Sequence, residues 1–102
     1  MAWHQNLQDE LVAILGTRNV YFQPPDGTQL KYPCIVYERS DINVARADNY
    51  LYKAKNRYSI TVIDRRPDNT IVDTILRHFT NCRFDRHFVS DNLNHDVITL
   101  FY

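Results

Sequence analysis

The chain has 102 residues, enough for one domain of ordinary size and too few for a two-lobed enzyme. Twelve Lys plus Arg balance twelve Asp plus Glu, so the overall basic surplus that grips nucleic-acid phosphates is missing. With 44% hydrophobic and 24% charged residues, the composition is that of a chain that folds rather than one that stays disordered.

Trp3, Leu7, Leu11, Ile14 and Leu15 recur at three- and four-residue steps, which predicts an amphipathic helix over 3–15 stopped by Gly16 in the left-handed conformation. Asn19 to Gln23 reads as a short strand, and Pro24, Pro25, Asp26 and Gly27 form the turn cluster after it. A second strand is expected over Gln29–Arg39, with Pro33 near its start or on an edge because proline has no ladder donor. From Ser40 to Asn49 the chain turns polar and irregular and reads as a long excursion. Between Tyr50 and Asp64 the residues Tyr58, Ile60 and Val62 alternate with Arg57, Ser59, Thr61 and Ile63, the period of a half-buried strand, so the two strands make a long hairpin arm. Asp68 or Asn69 can cap a second helix carrying the stripe Ile71, Val72, Ile75, Leu76 and Phe79, with its end near Asn81. Two strands close the chain, Cys82–Val89 and Asn94–Tyr102, around the turn residues Ser90, Asp91 and Asn92. The order α-β-β-β-α-β-β predicts a single α+β domain over 1–102, with a mainly antiparallel sheet of four or five strands and both helices on one face. Leu11, Ile60, Val62, Ile75, Leu76 and Ile98 are its expected core.

The four histidines show no HExxH or HxH spacing, and each expected helix carries one of them, so no metal site is expected. His87 and His95 lie in adjacent strands near Asp85 and Asp96. Solvent-facing cross-strand pairs explain them more simply than an acid–base site does. Pro67-Asp68 after a hairpin matches the opening of a two-carboxylate nuclease motif, but that motif needs a second acid followed two residues later by Lys on the next strand, and no such Lys exists here. With glycine only at Gly16 and Gly27, neither a phosphate-cradling loop nor a Gly-x-Ser-x-Gly elbow is possible. No enzyme activity and no cofactor are therefore expected. Cys34 and Cys82 are far apart and outside any CxxC pattern, which reads as two reduced, largely buried thiols of a cytosolic protein. No apolar run approaches the roughly 20 residues that cross a bilayer, and the N-terminus lacks the order of a signal peptide.

The stretch with most potential for recognition is the arm, where Tyr50, Tyr52 and Tyr58 interleave with Arg46, Lys53, Lys55 and Arg57, with Asp48 among them. Aromatics between cations can stack bases and hold phosphates. The same composition suits a protein interface, or a solvated hairpin whose charges deter aggregation. The interface reading makes Arg46, Asp48, Tyr50, Tyr52, Lys53, Lys55 and Arg57 the candidate contact residues. Arg65 and Arg66 before Pro67 read most simply as a solvated turn, with an inter-subunit salt bridge as the alternative.

The run Tyr32-Pro33-Cys34-Ile35-Val36-Tyr37, the polar excursion, the strand Tyr58-Ser59-Ile60-Thr61-Val62-Ile63-Asp64, the helix and the terminal hairpin together give a pattern over essentially the full length. It resembles the tail terminator, or tail-completion, proteins of long-tailed bacteriophages. The resemblance implies a structural virion protein with no catalysis. It would form a homo-oligomeric ring, usually a hexamer, that caps the tail tube protein and offers its other face to the head connector. It also implies assembly in the bacterial host cytoplasm, a place at the neck of the virion tail, and a channel that passes DNA without specific binding. Two alternatives stand beside it: a head-completion or connector protein of the same neck, and a small nucleic-acid-binding module.

Overall fold

The structure is a computed structural model that describes residues 4–43, 55–67 and 70–102. Its elements run in the order α1 (His4–Leu15), β1 (Val20–Phe22), β2 (Cys34–Asn43), β3 (Lys55–Asp64), α2 (Thr70–His78), β4 (Cys82–Ser90) and β5 (Leu93–Phe101). The five strands form one sheet in the order β1-β2-β3-β5-β4. Three of the four strand pairings are antiparallel, whereas β1 lies parallel to β2 with Tyr21 opposite Val36. The sheet is therefore mixed. The sequence reading of a mainly antiparallel sheet did not assign that pairing, because strand direction at an edge is set by the 11 residues between β1 and β2 rather than by side-chain period.

Registers across the sheet explain where the core lies. One row runs Phe22, Tyr37, Ile60, Ile98 and Phe84 from edge to edge, and a second runs Val20, Ile35, Val62, Asp96 and His87. Tyr37, Ile60 and Ile98 of the first row and Val20, Ile35 and Val62 of the second are buried together with Leu7 and Leu11 of α1, Ile75 of α2 and Phe79 just after it, so both helices cover the same face. Each such apolar side chain contributes about 1.5 to 3 kcal/mol when fully buried. The rows lose their cover at β4, where Phe84 is 45% exposed. On the other face a third row, Cys34, Ile63, His95 and Phe88, crosses from β2 to β4, with Cys34 and Ile63 buried.

Local chemistry fixes the element ends. Gly16 adopts φ +83 and its N–H donates to the Val12 carbonyl at 2.9 Å, which stops α1. Between β4 and β5, Asp91 and Asn92 both have positive φ, the geometry of a two-residue primed turn that matches the twist of a hairpin. The Tyr32–Pro33 peptide is cis, and β2 begins at Cys34 rather than at Gln29. Its other end is longer than expected. Residues 41–43 continue the strand and pair with 55–57, past a bulge at Ser40 whose hydroxyl donates to the Arg57 carbonyl at 3.1 Å. The remaining excursion residues, the first part of the expected third strand and both candidate caps of α2, Asp68 and Asn69, lie outside the described residues. Helix α2 ends at His78, three residues short of Asn81.

Of the expected core, Leu11, Ile60, Val62, Ile75 and Ile98 are fully buried, while Leu76 is only partly buried against the cluster. Its side chain lines an open hollow with Val72, Pro67 and Asp96. Replacing Ile75 with Ala is expected to cost about 2 to 5 kcal/mol by lost burial plus cavity, and Leu76→Ala distinctly less. Urea unfolding of both variants checks this. Equal losses would mean that α2 sits on the sheet through a different face.

Candidate interaction surface

Among the expected contact residues, only Arg57 has a described side chain. It is exposed at the start of the arm, and its Nε donates to Ser40 Oγ at 3.1 Å across the β2–β3 ladder. Arg46, Asp48, Tyr50, Tyr52 and Lys53 lie outside the described residues, and Lys55 is placed by its backbone alone, opposite Asn43. Tyr58 is fully buried in the core, tilted against Tyr37 at 6.1 Å, and so takes no part in a contact surface. The arm itself has a measurable geometry. β5 pairs with β3 from Arg57 onward, so residues 55 and 56 have a ladder partner only in β2. The sheet narrows there to two strands, which in water are marginal without something to pack against.

The histidines fall on opposite faces. His87 Nδ1 lies 2.7 Å from Asp96 Oδ1 on the helix-covered face, and His95 stacks on Phe88 at 4.6 Å on the other. They are cross-strand pairs, and they do not meet. Arg65 and Arg66 are exposed in the bend after β3, held by main-chain contacts: the Arg65 carbonyl accepts from Asn94 Nδ2, and the Arg66 N–H donates to Asp64 Oδ1.

Partly buried polar groups tie the elements together. Gln8 of α1 accepts from the Tyr37 hydroxyl through Oε1 at 2.6 Å and donates from Nε2 to the Val20 carbonyl at 3.0 Å. Glu10 bridges α2 and the C-terminal strand, with one carboxylate oxygen 2.9 Å from His78 Nε2 and the other accepting from the Tyr102 hydroxyl. Partial burial works to raise the Glu10 pKa, but hydrogen bonds from Tyr102 and His78 and the charge of His78 outweigh it and leave it below its ordinary 4.5. Desolvation, reinforced by the hydrogen bond to Glu10, pushes the Tyr102 hydroxyl up to about 12. His78, Phe79, Thr80, Asn81, Phe101 and Tyr102 line a shallow open hollow beside this bridge, of about 270 Å³.

Neither thiol is set up as a nucleophile. Burial pushes Cys34 up to about 11, and the Cys82 thiol, also raised by desolvation, points at the last carbonyls of α2, 3.4 Å from that of Phe79. Among the described residues no group of three His, Cys, Asp or Glu is placed to hold a metal ion, and no helix is long and apolar enough to cross a membrane.

Strand β4 was missed as a surface. Every one of its residues after Cys82 is exposed, on both faces, with Phe88 at 40% and Val89 at 62%. The signal was in the sequence: Arg83, Asp85, Arg86 and His87 occupy both faces of the run, which leaves no clean apolar side and marks an edge strand. A bulge between Phe84 and Arg86 hides the rest, because it puts Phe84 and His87 on the same face although they are three residues apart.

Comparison with protein-family models, with curated proteins and with solved structures finds no match to this chain.

The Glu10 bridge yields a pH prediction. A carboxylate with a lowered folded-state pKa contributes stability above its unfolded-state value, and that contribution is lost as pH falls through the folded-state value. Stability should therefore fall from about pH 5 downward, and Glu10→Gln should flatten that limb while lowering the thermal midpoint at neutral pH. Parallel midpoint-against-pH curves for the two proteins would show that the bridge carries no pH-dependent stability.

Proposed function

We propose that this protein is a structural subunit that works by assembly, as a component of the neck of a long-tailed phage. It would form a ring that caps the tail tube and joins it to the head connector, with DNA passing through unheld. The observation that carries the reading is the two-stranded arm, where β2 and β3 continue past the last strand that supports them. A hairpin in that position gains stability from packing against a neighbour, and the aromatic and basic residues between its strands suit a contact. The resemblance noted above supplies the particular assembly. Zero net charge agrees with a channel that must release DNA. The polar clusters found by the geometry each link one element of the fold to another, which is the work expected of a scaffold.

Light scattering on the purified protein tests this. The expected result is a discrete closed species well above twice the 12.1 kDa of one chain, which Tyr50→Ala/Tyr52→Ala reduces in size without changing the circular dichroism. Each tyrosine is expected to be worth about 2 kcal/mol at such a contact. A monomer, or submicromolar DNA affinity at physiological salt, would contradict the assembly reading and favour a nucleic-acid-binding module.

A further inference from the structure

The two edges of the sheet are treated differently. At β1 the Val20 carbonyl accepts from Gln8 of α1, so a side chain of the same molecule occupies that edge. No strand lies beyond β4 among the described residues, and nearly all of it is exposed. The Asn81 carbonyl accepts from the Phe101 N–H at 2.9 Å, and the turn pairs Ser90 with Leu93. These two ends fix the alternation of the ladder: the backbone groups of Arg83, Arg86 and Phe88 turn toward β5, and those of Cys82, Phe84, His87 and Val89 turn outward.

The geometry points to antiparallel pairing of β4 with β4 of a second copy, about a two-fold axis between Asp85 and Arg86. In this register the outward groups of Phe84 meet those of His87 in the second copy, and those of Cys82 meet those of Val89, so all four outward residues find bonding partners at once. The side chains agree with the backbone. Arg86 Nη1 donates to Asp85 Oδ2 at 2.9 Å within one chain, and across the axis Asp85 faces Arg86 of the second copy and Arg86 faces its Asp85, so the four groups form one cluster of alternating charge at the centre. Arg83 comes to the ring of the second copy's Phe88 on the open face, the kind of contact Arg86 already makes with Phe88 at 5.9 Å within one chain. Sliding by one residue sets outward groups against inward ones. Sliding by two puts Arg86 opposite Arg83 or His87 and leaves Asp85 against a phenylalanine. Charge and hydrogen bonding thus select the same register, which is what a self-complementary edge requires. The contact joins two five-stranded sheets into one of ten and covers Phe84 and Val89. Being two-fold, it is distinct from the head-to-tail contact that closes a ring, and it does not rest on the ring reading.

The test is the mass of the full chain by sedimentation, with circular dichroism as the check on folding. The unmutated protein is expected to hold an even number of copies. Asp85→Arg sets like charges opposite each other and should halve that number, and adding Arg86→Asp restores the pairs and should restore the mass. Val89→Lys, at a position 62% exposed in the single chain, should halve it as well and arbitrates if Asp85→Arg fails to fold. Halving to a smaller multimer supports this contact and a ring together. Halving to a monomer supports this contact and removes the ring. A multimer unchanged by the charge reversal and by Val89→Lys, or an odd number of copies above one in the unmutated protein, overturns the pairing of β4 and leaves the ring standing, whereas an unmutated monomer overturns both.

Discussion

A sheet that does not close on itself leaves a row of backbone donors and acceptors along each edge, and each row must be covered, blunted or shared. Here the covering of one edge also builds the core. Gln8 reaches from α1 to the Val20 carbonyl at the edge and to the Tyr37 hydroxyl inside it, so a single side chain fixes the helix over β1 and β2. Leu7 and Leu11 then fall onto Ile35 and Tyr37, and α2 completes the layer with Ile75 and Phe79. α2 meets β4, the last strand of the sheet, at Cys82, and the two helices of 12 and 9 residues leave every β4 residue after it exposed. The cover runs out at β4, and with it the apolar rows: Ile98 is buried and its neighbour Phe84 is not.

That shortfall separates what holds the fold from what faces outward. Partly buried polar groups link elements: Gln8 links α1 to the first two strands, Glu10 links α1 to His78 and Tyr102, and the Cys82 thiol faces the carbonyls that end α2. The groups facing outward are an edge strand with alternating charge and exposed rings, and a hairpin that outruns its supporting strand. Both are the features that the proposed contacts with other chains would use, and neither has the concave shape of a small-molecule pocket.

The sequence made the element order legible because most elements carry a clean period. The stripe Ile71, Ile75 and Phe79 reads as a helix, and Tyr58, Ile60 and Val62 read as one buried strand face; both faces are indeed buried. Legibility fails where backbone geometry breaks the period. The bulge at Ser40 let the second strand run into residues that read as an irregular excursion. The bulge before Arg86 hid the fact that Phe84 and His87 share a face. The parallel pairing of β1 was invisible, since three residues carry no directional signal. Of the candidate contact residues, sequence composition singled out the arm by its tyrosines and cations, but composition alone ranked β4 as an ordinary strand.

The claim on which the account depends is that β4 presents unbonded backbone groups to a partner. Residue-resolved amide hydrogen exchange measures this directly. In dilute protein the amides of Phe84 and His87 should exchange rapidly while that of Arg83, turned toward β5, is protected, and raising the concentration should slow the outward amides of Cys82, Phe84, His87 and Val89 and leave that of Arg83 unchanged. If Phe84 and His87 are as protected as Arg83 in dilute protein, the edge is already covered within one chain and the account of this surface is wrong.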